Sequence, residues 1–184
     1  MKKMIGIFVC TVVLFACSDD KKTPEDDASK MASEAAPAEM KDYELADNKY
    51  RDISKQGMDA LAKGDVDAWL NNYADNAIFR WSGGDSLVGK TAIAAHWKKR
   101  RAEVIDSLSY SNEVWLPMKV NKSQAATQLT GNYALLWNMV HAKYKNGKTM
   151  SQRMHMVFHF DANDKIDRTT QYIDRVPINA ATAK

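Results

Sequence analysis

Two runs of alternating residues, joined at Asn146-Gly147, constrain this chain more than any other feature. Asn-Gly is the strongest short signal for a two-residue hairpin turn, because both central positions of that turn need a positive φ. Read that way, Lys145 faces Lys148, and the register of a long hairpin from about Asn132 to Phe160 follows. Trp137 opposes Met156, Met139 opposes Met154, Leu135 opposes Phe158, Tyr133 opposes Phe160, and His141 opposes Gln152. That face is almost wholly apolar. The other face carries Asn132, Ala134, Leu136, Asn138 and Val140 against Arg153, His155, Val157 and His159. A slip of one residue would mix the two sets. The reading is a curved sheet with one buried face, which helices must cover.

The segments before the hairpin supply those helices. Ala46 to Lys63 has Tyr50, Ile53, Met58 and Leu61 near one face, with Gly64 as its C-cap. Asp65 caps a second helix carrying Val66, Trp69, Leu70 and Tyr73. Ala77 to Ser82 is a short strand with Phe79 and Trp81 on one side, and Ser82-Gly83-Gly84-Asp85 is a loop. Gly89 precedes a third helix, Lys90 to about Val104, with Ile93, Trp97 and Val104 inward. Leu108 to Val120 alternates on a single parity, and Pro117 marks an edge or a bulge. A loop at Ala162-Asn163-Asp164 leads into a last strand, Ile166 to about Val176. Helices first, then antiparallel strands, is an α+β order.

Several of these segments together resemble a known family. They are Gly64-Asp65-Val66-Asp67, Tyr73-Ala74-Asp75-Asn76-Ala77, Gly89-Lys90-Thr91-Ala92-Ile93, and Phe160-Asp161 with Lys165-Ile166 and Tyr172-Ile173-Asp174. Their order and spacing resemble the SnoaL-like branch of the nuclear transport factor 2-like superfamily, over residues 46–176. The resemblance implies a cone-shaped roll: a curved antiparallel sheet and three helices enclosing a pocket. It also implies a range of roles, from polyketide cyclases, isomerases and dehydratases to pocket proteins without chemistry, so the fold does not fix the function.

Polar residues on the apolar face are the candidates for chemistry. His141 and Gln152 are two. If Phe160 opposes Ile166, then Arg168, Thr170, Tyr172 and Asp174 also face inward; if Asn163-Asp164 is a two-residue turn, Asp174 faces outward. The first register is supported by similar cyclases, in which an acid near this point faces the cavity. It makes Asp174 a candidate general base, with Tyr172 or His141 hydrogen-bonding a developing enolate oxygen. Phe79, Trp81, Trp97, Trp137, Gln152, Met154 and Met156 would then line the ligand site. The plainer reading pairs Asp174 with Arg168 or Arg175 and leaves His141 on the surface. The five tryptophans are mainly core, and Asp85 is placed within reach of the cavity mouth.

Other signals weigh against further classes. His155 and His159 lie about 13 Å apart along one strand at ~3.3 Å per residue, too far to share a metal ion. They belong to the outer face, which would be solvated or a homodimer interface. Lys98-Lys99-Arg100-Arg101 points around most of a helix and reads as a solvated face. Gly89-Lys90-Thr91 lacks the glycine a phosphate-binding loop needs. No cofactor motif is present. Removing the first sixteen residues takes the formal charge from +3 to +1, which gives nucleic acid no electrostatic footing.

The N-terminus reads as an address. Lys2 and Lys3 precede an apolar run, Ile5 to Phe15, too short to span a bilayer comfortably. It ends in Leu14-Phe15-Ala16-Cys17 and turns polar at once. This resembles a bacterial lipoprotein signal, with residues 1–16 removed and Cys17 acylated by palmitate-type chains that enter the bilayer. Ser18-Asp19-Asp20 is similar to an export signal of surface lipoproteins. The expected site is therefore the cell envelope, on an outer-membrane lipoprotein facing the periplasm or the surface. Ser18 to Glu44 is rich in acids and alanines with hardly a large apolar residue, so residues 17–45 read as a disordered tether. Residues 177–184 read as a C-terminal tail.

Overall fold

The computed structural model describes residues 41–183. The signal segment, Cys17 and most of the tether lie outside them. Among the described residues no helix is long and apolar enough to cross a membrane. The architecture is α+β. One bent seven-stranded sheet carries its helices on the concave side.

The described residues open with β1 (Tyr43–Leu45), inside the segment expected to be tether, which pairs with the C-terminal end of the sheet's longest strand. Helix α1 (Asn48–Lys63) starts where the Asp47 carboxylate accepts from the Lys49 amide at 2.7 Å, and stops at Gly64, whose φ of 89° only glycine adopts cheaply. Its buried stripe is Tyr50, Ser54, Gly57, Met58 and Leu61. Asp65 caps the five-residue α2 (Val66–Leu70) by accepting from the Ala68 amide. Helix α2 is short because Tyr73 already begins β2 (Tyr73–Trp81). Strand β3 (Ser86–Val88) and helix α3 (Lys90–Glu103) follow, the helix entering through Gly89. Then come β4 (Ile105–Val120), β5 (Gly131–Tyr144), β6 (Thr149–Phe160) and β7 (Ile166–Tyr172). The chain closes with helix α4 (Arg175–Thr182), where a strand end and a tail were expected. The sheet order is β1-β4-β5-β6-β7-β2-β3, and β2 runs parallel to β7, the one exception to an otherwise antiparallel arrangement.

Three single-residue irregularities set which side chains face inward, and each departs from the sequence reading. The hairpin loop holds three residues, Lys145, Asn146 and Gly147. The Tyr144 amide bonds to Lys148 O at 2.9 Å, and only Gly147 has positive φ, 84°. This is a type I turn closed by a glycine bulge rather than a two-residue turn. Outside contacts hold it: the Lys145 amide bonds to Val104 O at 2.9 Å, and Asn146 Nδ2 donates to Ala181 O at 2.8 Å. The register therefore moves by one, so Leu136 opposes Met156 and Trp137 opposes His155. The β6 face is as expected, with Met154, Met156, Phe158 and Phe160 buried, but the inner row of β5 is Ala134, Leu136, Asn138, Val140, Ala142 and Tyr144. In β4 a bulge between Ser111 and Val114, with Asn112 at φ 52°, breaks the expected single parity. In β7, Phe160 does oppose Ile166, but a bulge follows at once and His159 opposes Arg168. Beyond the bulge the strand runs in the other register considered, and Thr169 and Gln171 face in.

The packed end of the concave side is dense. Trp69, Phe79, Phe158, Phe160, Leu61, Leu70, Ile93, Leu136 and Met156 are each under 2% exposed or nearly so. Trp69 meets Tyr73 and Trp97 edge-on with centroids 5.2 and 5.5 Å away. Each such side chain contributes ~1.5–3 kcal/mol of burial.

Candidate functional site

At the other end of the concave side the core does not fill the space. A cavity of about 270 Å³ lies between α3, α4 and the inner row of β4, β5, β6 and β7. Its apolar lining includes Trp81, Trp97, Ile105, Leu108, Met150 and Met154. The polar and charged lining consists of Asp85, His96, Arg100, Tyr110, Tyr144, Gln171, Arg175 and Asn179.

Helix α3 places two of these. Ile93, Trp97 and Val104 recur at helical spacing and turn inward, and Arg100 falls on the same stripe, three residues after Trp97. His96 sits one turn after Ile93 on its flank, with its ring 5.3 Å from that of Trp81. Burial, and then the Arg100 charge, holds the His96 imidazole below its ordinary value. Burial also pulls the Arg100 guanidinium down; Tyr144 opposes that shift and Arg175 adds to it. Among the described residues Arg100 has no carboxylate partner. Burial pushes the Tyr110 and Tyr144 hydroxyls up, so both remain proton donors at neutral pH.

Asp85 reaches the mouth because the β2–β3 turn folds tightly: the Trp81 amide bonds to Asp85 O, and Gly84 takes a φ of 99°. Its carboxylate meets Arg175 of α4 at 2.5 Å, and Arg175 also lies over the Trp81 ring at 5.6 Å. Helix α4 thus covers one side of the cavity, adding Ile178 and Asn179 to its wall. Three further bonds moor it. Asp174 caps its first turn by accepting from the Val176 amide at 2.8 Å, Gln152 Nε2 donates to Asp174 O at 2.9 Å, and Lys148 Nζ donates to Ala183 O at 3.2 Å.

Of the residues singled out in the sequence, Trp81, Trp97 and Met154 line the cavity. Phe79 and Met156 lie deeper, in the packed end, and Gln152 moors α4. The other expected placements are corrected by the two register shifts. Trp137 is 41% exposed on the outer face, stacked on His155 at 4.6 Å, and Tyr172 stacks on the far side of His155 at 5.5 Å. His141 is also outside, held between the hydroxyls of Ser111 and Ser151 at 2.8 Å each. Asp174 is exposed and engaged as a helix cap, so it presents no base to the cavity. His159 bonds to Asp167 and to Thr130 O, and among the described residues no three metal-ligating side chains converge. Arg100 and His96 are what the sequence reading missed. The signal was present in the stripe 93, 97, 100, 104, but the run of four basic residues hid it.

One inner-row residue is anomalous. Asn138 is 5% exposed, opposes Met154, and neither end of its amide has a partner among the described residues. Such a group costs ~1–3 kcal/mol of desolvation.

With this geometry in view the comparisons are specific about the fold. Residues 55–169 match the SnoaL-like domain family, and the chain belongs to it. No curated protein matches. Among solved structures, a candidate polyketide cyclase from Pseudomonas putida is 21% identical, covering 71% of this chain and 96% of its own, with a TM-score of 0.57. Another candidate polyketide cyclase, from Xanthomonas campestris, is 17% identical over 74% of this chain and 98% of its own, with a TM-score of 0.58. An LEH-like epoxide hydrolase from M. tuberculosis is 13% identical over 71% and 86%, with a TM-score of 0.54. Identities this low establish a shared nuclear transport factor 2-like fold and nothing finer.

Proposed function

We propose that this chain is a lipid-anchored envelope protein whose SnoaL-like domain takes up one small, largely apolar molecule. The observation that carries the reading is the cavity of about 270 Å³, walled by Trp81, Trp97, Leu108, Met150 and Met154 and covered by α4. A concave apolar site with a few convergent polar groups is the usual form of a small-molecule site. The address rests on the sequence around Cys17. Native mass spectrometry of the chain isolated from its own host tests the pocket. The expected result is a retained small molecule, lost when Ala142→Trp fills the cavity. A chain that carries and accepts nothing would reject the reading. Metabolic labelling with an alkynyl palmitate, absent in Cys17→Ser, tests the anchor.

His96 favours a second reading, in which the cavity also performs chemistry. An imidazole kept neutral beside a guanidinium is suited to take a proton next to a carbonyl while Arg100 holds the oxygen. The fold's likeness to proteins named as cyclases and isomerases is consistent with it. Turnover of the retained molecule, lost in His96→Gln, would establish this reading; an unchanged molecule would reject it.

The outer face suggests self-association. Val114, Trp137 and Tyr172 are 61%, 41% and 48% exposed there, and apolar surface of this kind marks interfaces.

A further inference from the structure

We infer that the molecule this cavity takes is an organic monoanion, a small apolar body ending in a carboxylate that pairs with Arg100. The inference rests on the pocket reading above and adds the ligand's charge. Three charged side chains line the cavity: Asp85, Arg100 and Arg175. Asp85 and Arg175 neutralise each other at 2.5 Å. Arg100 remains. It is half-buried on the inward stripe of α3, and no carboxylate among the described residues reaches it. The charge it does feel from Arg175 is repulsive.

A half-buried cation without a partner has lost part of its hydration with no compensating charge, and an anion would supply one. The lining carries one formal charge in excess, because His96 stays neutral near pH 7. One negative charge balances it; two would overshoot and repel Asp85. A guanidinium presents a planar fork that matches a carboxylate with two parallel hydrogen bonds. The rest of the wall is mainly tryptophan, leucine, isoleucine and methionine, with the uncharged polar groups of Tyr110, Tyr144, Gln171 and Asn179 among them. A cavity of about 270 Å³ keeps that body small. In this arrangement Arg175 and Asp85 stay joined, and α4 closes the mouth over the bound acid.

Matched probes test the charge separately from the pocket. Isothermal titration of the full chain in lipid nanodiscs, with empty nanodiscs subtracted, compares 3-phenylpropionate with 3-phenyl-1-propanol and 3-phenylpropylammonium. The expected order is acid, then alcohol, then amine, with the acid at least tenfold tighter than the alcohol. Arg100→Gln should bring the acid down to the level of the alcohol. Equal binding of acid and alcohol to the unsubstituted chain would overturn the charge assignment and leave the pocket standing. A preference that survives Arg100→Gln would overturn it too. Failure of all three probes to bind would reject the pocket and the inference with it. The comparison on the unsubstituted chain decides the matter even if a variant fails to fold.

Discussion

The two ends of the concave side use the same kinds of residue to opposite effect. At the packed end Trp69, Phe79, Phe158 and Phe160 interdigitate until almost no surface is left. At the open end Trp81 and Trp97 pack on Phe79 with one side, and with Met150 and Met154 they border a space on the other. The difference lies in what faces them. The packed end meets α1 and α2, whose buried faces carry no charged side chain. The open end meets α3 and α4, each of which puts an arginine into the wall. A charged side chain cannot be buried flush against hydrocarbon, so a site that includes one stays open. Stability is concentrated at one end and binding capacity at the other.

Substitutions at the two ends should therefore separate these properties. The largest effect belongs to the packed end: Phe158→Ala should cost ~3–5 kcal/mol in urea unfolding, a large share of a typical domain's stability. Next, Arg100→Leu should change stability little or raise it, because it removes an unpaired, half-buried charge, while abolishing any preference for an anionic ligand. A third test lies between the ends. Asn138→Leu should stabilise the fold by about 1 kcal/mol, since it removes two unpaired amide atoms. A destabilising result would show that the amide has a partner, such as a bound molecule, in the chain as isolated.

The smallest expected effect is on pH dependence. Burial holds the folded His96 below its unfolded value of 6.5. The unfolded chain therefore binds the proton more readily, and stability falls as pH drops below about 6.5. The contribution is complete above that pH and is lost as pH falls through the lower folded value. Arg100, Arg175 and Asp85 line the same cavity, and Arg100 opposes protonation. His96→Gln should flatten the urea midpoint between pH 7.5 and 5; an unchanged slope would place its origin elsewhere.

The outer face explains why the sequence showed some of this and hid the rest. Caps were legible because their chemistry is local: Gly64, Asp65 and Gly89 end or begin helices as read. The inner face of β6 was legible because its parity is clean. The inner row of β5 was not, because Tyr133, Leu135, Trp137 and Met139 on the outside are at least as apolar as Ala134, Leu136 and Val140 inside. Alternation cannot choose between two greasy faces, and the choice fell to one extra residue in the turn. A second extra residue at Asp167 reversed β7 and moved Tyr172 out of the cavity. Bulges carry almost no compositional signal, and each one inverts every assignment along its strand. Arg100 was hidden by its neighbours, although its spacing from Trp97 was in plain view. If the exposed outer row is a contact between copies, light scattering should give a dimer that Trp137→Glu dissociates; a monomer at high concentration would reject it.

The claim on which the rest depends is that the open end encloses real space bordered by Arg100. A crystal structure of the chain grown with 3-phenylpropionate tests it most directly. The predicted result is the acid seated between Trp97 and Met154, with its carboxylate hydrogen-bonded to the Arg100 guanidinium. The contradicting result is the same volume filled by Trp81 or Trp97 swung inward, with Arg100 turned out to solvent.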